Sequence, residues 1–128
     1  MHVPGSSVVT IEGDARVRDG VRLSYTLWRG APKTPRWVLI HSLALDRSLW
    51  LPVAERLARG GSVLTYDCRG HGRSTAAPGP YAVEQFARDL ADLLDAVGWE
   101  SAVVAGASMG GCVALCFADS FRPRAEAL

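Results

Sequence analysis

Residues 106–110 read Gly-Ala-Ser-Met-Gly, a G-x-S-x-G motif between an apolar β-branched run at 101–105 and an apolar, alanine-rich run at 109–121. No other stretch constrains the fold so tightly. The first run predicts a short buried strand and the second a buried helix. A strand that passes into a helix this quickly needs a sharp, strained turn. Gly106 and Gly110 suit it because the helix must pass close to neighbouring strands. The turn sets Ser108 at a helix N-terminus, where the backbone dipole favours developing negative charge. A serine hydroxyl there is a candidate nucleophile once a base takes its proton.

The chain has 128 residues, 48% of them apolar, which is enough for one domain over 1–128 and no second one. Its formal net charge is +1 and it holds no basic block, so neither nucleic acid nor an anionic membrane surface is an expected partner. No apolar stretch approaches a membrane span, and residues 1–5 lack the charged and apolar regions of a signal peptide. The cysteines, Cys68, Cys112 and Cys116, are odd in number and lack metal-type spacing. Cys112 and Cys116 are expected to pack as small apolar groups on the buried helix. The chain therefore reads as reduced and cytoplasmic.

Along the chain, 15–17 and 21–28 flank Asp19-Gly20, which predicts an N-terminal hairpin. A loop over 30–35 leads to a central strand at 37–40 that ends at His41. Residues 49–59 have helical spacing, closed by Gly60-Gly61, and 62–66 read as the next buried strand. A polar, glycine-bearing loop covers 67–80. An amphipathic helix follows, with Val83, Phe86, Leu90, Leu93, Leu94 and Val97 on one face and Asp89, Asp92 and Asp95 expected to face water. Residues 124–128 read as the lead-in to another strand. Alternation of this kind implies an α/β fold, a mostly parallel sheet with helices on both faces. The last strand is then expected to offer an edge to a complementary segment, from the same gene product or a separate chain.

Four segments carry a resemblance: Val38-Leu39-Ile40-His41-Ser42-Leu43, Leu45-Asp46-Arg47-Ser48-Leu49-Trp50, Asp67-Cys68-Arg69-Gly70-His71-Gly72-Arg73-Ser74 and Gly106-Ala107-Ser108-Met109-Gly110-Gly111. In this order they resemble the N-terminal half of the α/β-hydrolase family, from about Val17 to the end of the chain. The branch most similar is that of 3-oxoadipate enol-lactonases, related esterases and cofactor-free haloperoxidases. Relatives carry His-Gly where this chain has His41-Ser42, which leaves an extra side chain beside the oxyanion loop.

The resemblance implies hydrolysis of a small-molecule carboxylic ester or lactone through an acyl-enzyme on Ser108, with no metal and no organic cofactor. It places oxyanion donors on the backbone N–H groups of Leu43 and Met109. Ser42 and Trp50 are possible pocket residues, although an aromatic such as Trp50 on an apolar helix face is more often core. His41, Asp67, Arg69, Gly70, His71 and Gly72 read as organisers of the loops around the site. In this family the acid and the histidine follow the serine. Here His2, His41 and His71 all precede it, and the acids after it are Asp119 and Glu126. Asp119, about three turns along the helix, reads as a surface charge. The general base and its carboxylate are thus expected from a C-terminal complement, and the chain alone is expected to be inactive. An inert half-domain or interaction subunit is the alternative; within enzymes, perhydrolysis or C–C bond hydrolysis remain open. Ser108 argues against dehalogenase and epoxide-hydrolase chemistry, where relatives use an aspartate.

Overall fold

In the computed structural model, residues 9–76 and 81–128 are described. The leader reading of 1–5 and the last four residues of the 67–80 loop lie outside the described residues. Six strands among these form one sheet in the order β1-β2-β4-β3-β5-β6. The strands are β1 (Val9–Arg16), β2 (Arg22–Arg29), β3 (Arg36–Ile40), β4 (Ser62–Tyr66), β5 (Ala102–Gly106) and β6 (Ala125–Ala127). β1 and β2 form the expected hairpin, with Gly20 at φ +89° in its turn and Ala15 opposite Leu23. β2 joins β4 antiparallel. β4, β3, β5 and β6 run parallel, so the half that carries the serine is the parallel half.

Strand alternation sorts the side chains into two layers. Leu23, Leu27, Val38, Ile40, Leu64, Tyr66, Ala102 and Val104 face one side. There they pack beneath α2 (Val83–Val97) and α3 (Met109–Ser120). Trp28, Leu39 and Val63 face the other side and meet Ala54 and Ala58 at α1 (Leu51–Leu57). The sheet is therefore covered on both faces, as expected. The second cover is thin, since α1 spans 7 residues and buries only Ala54.

Three readings need correction. The helix predicted over 49–59 is a 3-10 turn, Arg47–Trp50, that passes into the shorter α1. Asp46 accepts from the Ser48 N–H at its start, and Pro52 tolerates a helix beginning at Leu51 because its missing N–H would be unpaired there anyway. α3 is not buried all round. Gly110, Val113, Ala114 and Phe117 are covered, but Leu115 is 63% exposed and Cys112 is exposed too, because nothing among the described residues packs on the outer side of α3.

The third correction concerns Asp89, expected to face water and found 1% exposed. Helical spacing places it beside the apolar stripe, and the guanidinium of Arg69 explains its burial. Arg69 donates through Nε (2.7 Å) and Nη2 (2.8 Å) to the two carboxylate oxygens, and Gln85 donates a third bond at 2.9 Å. Asp19 of the hairpin turn takes a further bond from Arg69 Nη2 at 2.9 Å. One arginine thus ties the loop after β4 to α2 and to the hairpin. Asp92 is part-buried and takes a forked pair from Arg18, and exposed Asp95 pairs with Arg124.

Removing one partner of a buried pair strands the other charge, at a cost of about 3–5 kcal/mol. Asp89→Ala leaves Arg69 with the half-exposed Asp19 carboxylate alone and is accordingly expected to lower stability by about 3 kcal/mol, the lower end of that range, in urea denaturation. Asp119→Ala, on an exposed pair with Arg122, is expected to change it by less than about 0.5 kcal/mol.

Candidate active site

β5 ends at Gly106, and two residues later Ser108 sits at φ +53° and ψ −114°, before α3 begins at Met109. Left-handed backbone is disfavoured for a residue with a Cβ. Two close approaches hold it there. A Cβ on Gly106 would overlap the carbonyl of Gly110, and a Cβ on Gly110 would overlap the carbonyl oxygens of Ile40 and His41. The Ala107 N–H donates to Ile40 O at 3.1 Å, so the turn is fastened to the end of β3. Ser108 makes no side-chain cap for α3, although serine is a preferred capping residue. Its hydroxyl stays exposed at the C-terminal end of the parallel strands.

The 41–46 loop lies against this turn. Ser42 Oγ donates to Ala107 O at 3.2 Å. Leu45 N–H returns to Ser42 O at 3.2 Å across Ala44, which is left-handed at φ +63°. Among the described residues the backbone N–H groups of Leu43 and Met109 donate to nothing. A shallow concavity of about 330 Å³ runs beside the loop, lined by Ala44, Leu45, Asp46, Ser48, Leu49 and Gly72.

His41 is fully buried. Its Nδ1 lies 2.7 Å from Ser42 O, and its Nε2 accepts the Cys68 N–H at 2.9 Å. Burial pushes its pKa below 6.5, with a smaller opposing effect from the Ser42 hydrogen bond. The His71 ring stands 5.0 Å away, and its Nδ1 lies 3.0 Å from Arg69 O. Burial pushes the Cys68 thiol up to about 12, which leaves it protonated and unreactive.

The loop after β4 is organised around Asp67. Its carboxylate accepts from Arg47 Nη1 at 2.7 Å and from the backbone N–H groups of Arg47 and Arg73 at 2.8 and 2.9 Å. Gly72, at φ +49°, lies against that carboxylate where a Cβ would collide, and Gly70, at φ +76°, lies against the Tyr81 ring. Both glycines of Arg-Gly-His-Gly are thus required by conformation and by contact. Sequence reasoning gave Arg47 no role. The signal was present, since an Asp-Arg pair in one loop faces an aspartate at the end of the next strand.

Ser108, Leu43, Met109, Ser42, His41 and the Asp67 loop therefore converge on one end of the sheet. Trp50 packs toward Leu39, Ala54 and Val63, and its buried indole N–H has no hydrogen-bond partner among the described residues. Asp119 is exposed and pairs with Arg122 at 3.6 Å. Among the described residues no group of three or more His, Cys, Asp or Glu side chains could hold a metal ion. No helix among them is long and apolar enough to cross a membrane.

The family model described as alpha/beta hydrolase fold matches residues 35–128. A protein of Caulobacter segnis, named provisionally as the carbamate hydrolase RutD, is 40% identical over 93 residues, 70% of this chain and 35% of that protein. The 3-oxoadipate enol-lactonase 1 of Acinetobacter baylyi is 37% identical over 98 residues, 77% of this chain and 36% of that protein. The crystal structure of the enol-lactonase from Burkholderia xenovorans superposes with a TM-score of 0.83 at 36% identity, covering 89% of this chain and 44% of that one. The chain thus spans about a third of the length of the relatives it matches.

Glycine at the turn relieves the left-handed strain but loses more chain entropy, so Ser108→Gly is expected to raise stability by about 1 kcal/mol. Gly110→Ala is expected to lower it by about 1–3 kcal/mol through overlap with the β3 carbonyls. Urea denaturation of the three proteins decides both.

The folded state disfavours the protonated form of His41, whereas the unfolded chain takes up that proton below its ordinary value of 6.5. The stabilisation is whole above that value and declines as pH falls through it towards the lowered one. His71, Asp67 and Asp46 are the titratable groups that act on the ring. The urea midpoint is expected to fall between about pH 7 and pH 5, and to fall less in His41→Asn.

Proposed function

The chain belongs to the α/β-hydrolase fold family, and from that premise we propose that it carries the nucleophilic part of a serine hydrolase acting on carboxylic esters or lactones. The observation that carries the reading is the strained, uncapped Ser108 beside two backbone N–H groups that donate to nothing else among the described residues. Attack of Ser108 Oγ on a carbonyl carbon turns the carbonyl oxygen into an oxyanion. The N–H groups of Leu43 and Met109 stabilise that charge, each by roughly 3 kcal/mol in such sites. Collapse expels the alkoxide or enolate, which leaves an acyl-serine that water hydrolyses. The enol-lactonase relatives favour a lactone or an activated ester, and a carbamate presents the same carbonyl.

A general base must deprotonate the serine and later the water. His41 does not supply it: it is buried, with both ring nitrogens engaged. We assign the base and its orienting carboxylate to a complementary C-terminal segment, in keeping with the longer relatives. Its place is beside β6, the three-residue parallel strand at the sheet edge next to β5.

Complementation with such a segment is expected to give turnover of aryl esters and enol-lactones and labelling by a fluorophosphonate. Ser108→Ala is expected to abolish both, with a rate loss on the order of 10⁶. Full turnover by the alanine variant would remove the serine-hydrolase reading.

A further inference from the structure

The Ser42–Leu43 peptide bond has more holding it than a loop turn requires. Its carbonyl oxygen receives the Leu45 N–H at 3.2 Å and faces His41 Nδ1 at 2.7 Å. The His41 tautomer follows from its partners. Cys68 offers a backbone N–H, so Nε2 presents its lone pair; Ser42 offers a carbonyl, so Nδ1 carries the hydrogen. That ring is completely buried, and a backbone donor at one end and a backbone acceptor at the other leave it one orientation.

A trans peptide unit is planar, with its C=O and N–H pointing in opposite directions. To fix the Ser42 carbonyl is therefore to aim the Leu43 N–H. We propose that His41 is a positioning residue for the oxyanion hole, holding the Ser42–Leu43 peptide through its Nδ1–H so that the Leu43 N–H points at the developing charge. The inference rests on the serine-hydrolase reading. The imidazole never touches substrate and moves no proton; it acts through one peptide plane. Nε2 links that plane to the backbone of Cys68, so the loops after β3 and β4 hold one register. Ala44, left-handed at φ +63°, and the Ser42 Oγ bond to Ala107 complete the frame.

Two amide side chains separate the two ends of the ring. In His41→Asn the amide N–H takes the place of Nδ1–H and the bond from Cys68 is lost. In His41→Gln the amide reaches the Nε2 position and the bond to Ser42 is lost. In the complemented enzyme, His41→Gln is expected to lose about 10²-fold in kcat with KM nearly unchanged, the signature of a lost oxyanion donor. His41→Asn is expected to recover most of that loss. Equal losses in the two variants, or losses carried by KM, would overturn the proposal.

The second measurement needs no turnover. Nitrogen-15 spectra of the wild-type chain are expected to show Nδ1 protonated and Nε2 bare at neutral pH. An Nε2–H tautomer or an imidazolium would overturn the proposal even in an active enzyme. Failure of a fluorophosphonate to label the complemented wild-type protein would instead remove the hydrolase reading, and the inference with it.

Discussion

Two glycines bring three backbone segments closer than any side chain would allow. Gly106 touches the first turn of α3, and Gly110 touches the carbonyls that end β3. From these contacts comes the left-handed backbone at Ser108, because α3 can start so near β5 only if the chain reverses within two residues. The position of α3 against α2, and of the 41–46 loop against the turn, follows in the same way. Strain of this kind persists only where its surroundings over-determine it. Here the over-determination is made of main-chain atoms, which side-chain variation elsewhere in the core does not alter.

A second set of constraints is electrostatic. Asp67 with Arg47, and Asp89 with Arg69, are paired charges in largely buried surroundings, each satisfied by further hydrogen bonds. Such pairs contribute little net stability over an apolar core, because desolvation offsets their attraction. What they supply is register. The loops after β3 and β4 carry few apolar anchors of their own, with Leu43 and Leu45 largely exposed, and the paired charges fix them instead.

The fold was legible where periodicity and backbone chemistry coincide. The Asp19-Gly20 hairpin, the buried strands at β3 and β4, the turn at Ser108 and the β6 lead-in all follow from local pattern. Asp89 was misread because the spacing of the apolar residues sets a stripe, whereas burial at the stripe's border depends on a partner 20 residues away in sequence. The exposed side of α3 was misread for a related reason. An apolar helix announces that it needs cover, not which element provides it. Around the site, the residue types and their order were readable, and the hydrogen bonds of His41 were not. Those bonds depend on Cys68 lying across from His41, a fact of sheet order rather than of local sequence.

The strain at Ser108 also bears on the order of folding. The left-handed shape of the turn depends on Ile40 and His41 standing in place, so it is coupled to the pairing of β3 with β5. Contacts that form late in folding are absent from the transition state and weigh on the unfolding rate alone. Where those contacts are absent from the transition state, the strain at Ser108 raises the unfolding rate and leaves the folding rate unchanged.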